Sequence, residues 1–233
     1  KYSIKMKKER WIAILPGSKK TKLSIGIPFF LEMADHISSE RNDIKLMIPI
    51  APTTSIKDFL YYQSDKNPIA KKYSSKIKHI KKVTQSIFQY ELQTEKNTKI
   101  YLIASSPAYQ TLKQCELAIT TVGANTAELA AINLPMIVVL PTQHLNLMNA
   151  WDGIFGIIGK IPIINKIIST CVKNWYLNNK QFFSWPNIKS KRRIVPERIG
   201  EIKPIEIADE AIFLLNNSNL LQDQRSNLKK ERG

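Results

Sequence analysis

The stretch TTVGANTAELAAINLPMIVVLP, Thr120–Pro141, closes one apolar run, turns at Gly123, passes through a short helix-forming segment that carries Glu128, and enters a second apolar run at PMIVVLP. Strand-length apolar runs without polar alternation mark strands buried on both faces, and a helical segment between two of them makes a βαβ unit. The same alternation continues outward in both directions. WIAILPGS, Trp11–Ser18, reads as a buried strand ending in a Pro-Gly turn, and SIGIPFFLEMADHISSE, Ser24–Glu40, as a helix with Ile27, Phe30, Leu31, Ala34 and Ile37 on one face. IKLMIPIAP, Ile44–Pro52, is a second strand, and TTSIKDFLYYQSD, Thr53–Asp65, a second helix opened by threonine and serine caps.

Lys66–Lys82 is lysine-rich and poorly patterned, and reads as a helix plus a loop. SIFQYEL and KIYLIAS are strand candidates, PAYQTLKQC a short helix with proline in its first turn, and ELAITT the strand that leads into Gly123. The expected fold class is α/β, a Rossmann-like, mainly parallel sheet with helices on both faces. It occupies residues 1–233, with an apolar insertion at about 150–172 and a helical tail at about 204–233.

Composition narrows the function. A chain of 233 residues with 43% hydrophobic residues can bury a sizeable core. Its two cysteines, Cys115 and Cys171, lie far apart in apolar settings, which argues against a disulfide framework or a metal cluster and for a reducing, cytoplasmic setting. The chain begins at a lysine, so a cut within a longer protein is expected. A net charge of +16 suits an anionic partner: nucleic acid, an anionic membrane surface or a phosphorylated substrate. A codon bias towards A and T, which enriches lysine, isoleucine and asparagine, would give the same composition. Without an arginine–aromatic array, nucleic acid is the weakest of these partners.

In a doubly wound sheet, ligands collect at the carboxyl ends of the strands, where helix N-termini offer unpaired N–H groups. Two loops have that character. LPGSKKTK, Leu15–Lys22, supplies Gly17 and Ser18 for backbone contact and Lys19, Lys20 and Lys22 for charge; TTVGANTAE supplies Gly123. Together they suggest a diphosphate. The simpler readings are a plain Pro-Gly turn and a capping box between Asn125 and Glu128. Neither GxGxxG nor GxxxxGK[ST] is present.

ILPGSKKTKLSIGIPFFLEMA, TTVGANTAELAAINLPMIVV and WPNIKSKRRIVPERIG occur in the order and at about the spacing of the C-terminal half of lipid-A-disaccharide synthase, a GT-B-fold glycosyltransferase family that the chain resembles over nearly its whole length. That family transfers an acylated glucosamine from UDP to an acylated glucosamine phosphate. The resemblance implies one half of a GT-B fold with a UDP-sugar as substrate, no separate cofactor or metal, a lipid acceptor, and a missing N-terminal domain that carries the acceptor site and general base. It also implies diphosphate binding at Gly17, Ser18, Lys19 and the Gly123 turn, with Asn125 and Thr126 in the same motif, ribose binding by Glu128, and contacts from Asn187 and Glu197. Asn187 falls where the family has a functionally important asparagine, which leaves it a candidate catalytic residue. The family's arginine is Lys19 here, which keeps charge but not the forked geometry. Its serine is Val122, and its glutamine is Gly200. Alternatives of another class are a nucleotide-sugar epimerase and a non-catalytic nucleotide-binding module.

His36, His79 and His144 lack metal-ligand spacing and read as surface or capping residues, and the cysteines as core fillers. AWDGIFGIIGKIPIINKIISTCV, Ala150–Val172, holds Pro162, three glycines and two lysines, a poor membrane span. It is either a core helix pair or an interfacial hairpin that places the protein peripherally on the inner membrane face.

Overall fold

The computed structural model describes residues 9–83, 87–104, 106–144 and 182–232. The apolar segment 150–172 and Cys171 lie outside the described residues. Eight strands form one sheet: β1 (Arg10–Leu15), β2 (Ile44–Pro49), β3 (Ile77–Lys82), β4 (Tyr90–Thr94), β5 (Lys99–Ile103), β6 (Leu117–Thr121), β7 (Met136–Pro141) and β8 (Glu197–Gly200). Their order is β3-β4-β5-β2-β1-β6-β7-β8. From β5 to β8 every pairing is parallel, while β3 and β4 join as antiparallel strands at one edge. The expected mainly parallel α/β sheet is what forms. β6 and β7 are buried at every residue, as the unbroken apolar runs require.

The helices are α1 (Lys20–Glu40), α2 (Ile56–Gln63), α3 (Tyr109–Leu112), α4 (Ala124–Ala131), α5 (Trp185–Ser190), α6 (Pro204–Asn216) and α7 (Ser218–Arg232), with a 3₁₀ turn at Ala70–Lys72. α1 packs on α6, and α4 packs on α5 and α7. The tail expected at about 204–233 is thus two helices, of which α6 opens with proline in its first turn. α1 begins four residues before the predicted Ser24, at the end of the Pro-Gly loop.

Several expectations need correction. The stretch 66–82 is not a helix plus a loop; it ends in β3, whose exposed lysines protect an edge strand from further pairing. β4 begins at Tyr90, later than SIFQYEL suggested, and the short β8 was not foreseen. α3 starts at Tyr109, so Pro107 precedes the helix rather than opening it. Cys115 is buried, with its thiol 3.7 Å from the sulfur of Met47, in keeping with a core filler.

Strand order decides where a ligand can sit. Chain progression runs one way from β1 to β2 and β5, and the other way from β1 to β6, β7 and β8. The reversal lies between β1 and β6, where loops leave in opposite directions and open a crevice at the strands' carboxyl ends. The two loops that border this point are Pro16–Lys19 and Val122–Gly123.

Candidate functional site

Both loops turn on a glycine with positive φ: +97° at Gly17 and +139° at Gly123. A methyl group at Gly17 would lie 2.9 Å from two side-chain carbons of Lys22 and 3.3 Å from Thr121 Oγ1; one at Gly123 would lie 2.7 Å from Lys22 Nζ. Conformation requires glycine at both positions, and at Gly17 space requires it too, whereas at Gly123 the neighbour is the mobile end of a lysine. Lys22, in the first turn of α1, runs from one loop to the other and donates to the carbonyl of Val122 at 2.7 Å. Burial, with a smaller contribution from the charge of Lys19, lowers its pKa below the usual lysine value. The sequence offered Lys22 as loop charge only; its place between the glycines comes from the fold.

Gly123 itself caps α4, without a side-chain cap, and neither α1 nor α4 has an acidic residue in its first turn. The capping box between Asn125 and Glu128 is absent because Asn125 already lies inside the helix; its amide is 3.5 Å from Thr120 Oγ1. Glu128 is one turn further on, exposed, with its carboxylate beside the phenol of Tyr109, whose pKa its negative charge raises. A cleft of about 330 Å³ opens here, lined among others by Gly17, Ser18, Pro52, Pro107, Tyr109, Asn125 and Glu128. That volume is at the small end of ligand sites. It joins the β1 loop to the first turns of α4, with Tyr109 and Glu128 at one wall.

The remaining sequence candidates lie deeper. Thr126 is buried; its hydroxyl donates to Gly123 O at 2.8 Å and accepts from the Trp185 amide at 3.0 Å, so it ties the start of α4 to the start of α5. Asn187 is 0% exposed. Its Nδ2 donates to Val195 O and Glu197 Oε1, both at 2.9 Å, and its Oδ1 accepts from the amides of Ile194 at 2.7 Å and Val195 at 3.0 Å. All four of its hydrogen-bonding positions are taken by protein. Glu197, also buried, accepts from Ser184 N at 2.8 Å, Ser184 Oγ at 2.6 Å and Phe183 N at 3.2 Å. Asn187 and Glu197 thus form a bracket that holds α5 against α4, while the Gly17 loop, Asn125 and Glu128 line the cleft and Gly123 lies beside it, at the start of α4. Lys19 is the exposed N-cap of α1; its carbonyl accepts the Leu23 amide at 2.9 Å.

A larger cleft, of about 830 Å³, includes Glu32, Asp35, Tyr73, Lys96, His144 and Lys203, but neither glycine loop. Size alone does not make it the better candidate, because it lacks the switch-point loops and their helix N-termini. His144, expected at the surface, is buried there and shares a 2.8 Å hydrogen bond with the Tyr73 hydroxyl; burial lowers its pKa to about 4. Among the described residues no group of three or more His, Cys, Asp or Glu side chains is placed to hold a metal ion, and no helix is long and apolar enough to cross a membrane.

No protein-family model matches the chain. It is 25% identical over 224 residues to a lipid-A-disaccharide synthase of Sulfurihydrogenibium sp. (strain YO3AOP1), an alignment that covers 96% of this chain and 46% of that protein. The chain thus spans about half the length of the curated relative it matches. A crystal structure of a Listeria monocytogenes protein assigned as a UDP-N-acetylglucosamine 2-epimerase aligns with 94% of this chain and 39% of its own, at 12% identity and a TM-score of 0.45.

Proposed function

We propose that this chain is the nucleotide-sugar-binding part of a glycosyltransferase similar to lipid-A-disaccharide synthase, taking a UDP-sugar as donor. The observation that carries the reading is the meeting of two positive-φ glycine loops at the sheet's reversal point, beside a cleft walled by Glu128 and Tyr109. Two helix N-termini free of acidic first-turn residues converge there and favour a diphosphate. Glu128 then accepts from ribose hydroxyls, and the apolar wall around Pro52 and Pro107 takes the base.

Asn187 and Glu197 act through α5, holding its start against α4, and are positioning residues rather than contacts to the sugar nucleotide. The acceptor is an acylated sugar at an anionic membrane surface, which suits the net charge of +16. Acceptor binding and the general base belong to a second domain beyond this chain. Saturation-transfer NMR tests the donor site. UDP and UDP-N-acetylglucosamine should show ribose and uracil enhancements that ADP does not match, whereas equal signals from ADP would remove the uridine preference and the glycosyltransferase reading with it.

A further inference from the structure

Position N3 of a helix, next to the positive end of its dipole, disfavours a cation, and so does desolvation. Lys22 occupies that position in α1 and is largely removed from water. By contrast, the first turns of α2 and α6 hold Asp58 and Glu206, each accepting from the backbone amide of its helix's N-cap. A second and independent feature lies at the same spot. Thr121 is 4% exposed, and its hydroxyl, which has no hydrogen-bond partner among the described residues, lies 3.3 Å from the place a methyl group on Gly17 would take. Buried hydroxyls are nearly always paired; of the few here that are not, this is the one that adjoins the Gly17 loop, where it is open to a group that arrives from outside.

We infer that Lys22 and Thr121 are the side chains that contact phosphate at this site, Lys22 as the cation between the two glycine loops and Thr121 as the hydroxyl donor beneath them. The ligand class is a diphosphate ester or free pyrophosphate. The inference rests on the nucleotide-site reading and gives it its charged residue. Lys22 needs only to turn its ammonium from the Val122 carbonyl towards the crevice, since the stem is already packed along Gly17. An anion there relieves both the helix-end repulsion and the desolvation of the ammonium, and it pairs with the Thr121 hydroxyl.

Calorimetric titration of uridine, UDP and pyrophosphate into the wild-type chain, Lys22→Met and Thr121→Val tests it. A hydrogen bond to a charged group is worth a factor of about ten or more in affinity. Lys22→Met should therefore weaken UDP and pyrophosphate at least about tenfold and leave uridine unchanged. Thr121→Val, which keeps the shape, should weaken the same two ligands and leave the melting temperature unchanged or raised, which a purely structural hydroxyl would not do. If the wild type binds UDP and both variants bind it equally well, the inference is overturned while the nucleotide site stands. If the wild type binds pyrophosphate as tightly as UDP, the anion site stands and the nucleotide reading falls; if it binds neither, both fall. Should Lys22→Met not fold, Thr121→Val decides alone.

Discussion

Replacing Asn187 by alanine separates the structure's account of that residue from the one implied by sequence resemblance. The change removes two donors and an acceptor with two occupied positions from a site of 0% exposure, leaving the amides of Ile194 and Val195 and the carbonyl of Val195 unpaired and taking one donor from Glu197. Each buried polar group left unsatisfied costs about 1–3 kcal/mol. With some relief from water entering the void, the total is about 3–5 kcal/mol, a large part of the 5–15 kcal/mol typical of a whole protein. At this chain length that lowers the melting temperature by about 10 °C. Asn187→Asp sharpens the test. It keeps the acceptor for Ile194 and Val195 but sets a second carboxylate against Glu197 in a buried site, so it should be at least as damaging as alanine. Urea unfolding followed by fluorescence and near-UV circular dichroism reads both variants. Wild-type unfolding midpoints combined with lost UDP binding would refute the bracket and return Asn187 to the ligand.

Two further outcomes come from the geometry and a third from the sequence of the apolar segment 150–172. Gly123→Ala puts a methyl group 2.7 Å from Lys22 Nζ at φ +139°, so it should cost about 1–3 kcal/mol in urea and weaken UDP binding measured by calorimetry. His144 has a folded pKa of about 4 against an ordinary 6.5, so the unfolded chain binds more protons in that window. Stability should therefore fall as pH drops from about 6.5 to about 4, by up to about 3 kcal/mol, and a His144→Gln variant should show a flatter pH profile. The chain should float with anionic vesicles at low salt, and changing Ile157, Ile158, Ile163 and Ile164 to serine should release it without unfolding; failure of the parent to float would refute the membrane-surface proposal.

What the sequence made legible follows the strength of local signals. β6, α4 and β7 stood out because two unbroken apolar runs with a glycine turn and a short helical segment between them suit a buried βαβ unit and little else, and the Pro-Gly turn marked the end of β1 in the same way. β3 was hidden for a physical reason: Ile77 and Ile80 are three apart among lysines, as on a helix face, because a register shift between Ile77 and His79 breaks the alternation of the strand. β8 is only four residues long and has no apolar run to announce it. At the site, the two glycines could be read as loop chemistry, but not that Lys22 would lie between them. The capping box failed because Gly123, not Asn125, starts the helix. The bracket of Asn187 and Glu197 and the burial of His144 depend on residues far apart in sequence, which no local pattern records.

The central claim, that the β1–β6 switch point and not the larger cleft holds the nucleotide, is tested most directly by mapping UDP binding on amide ¹H–¹⁵N spectra of the chain. The account predicts that the amides of Gly17, Ser18, Gly123 and Glu128 shift in proportion to occupancy, while those of Glu32, Lys96, Asn97 and Lys203 stay in place. Shifts confined to the second group would contradict it.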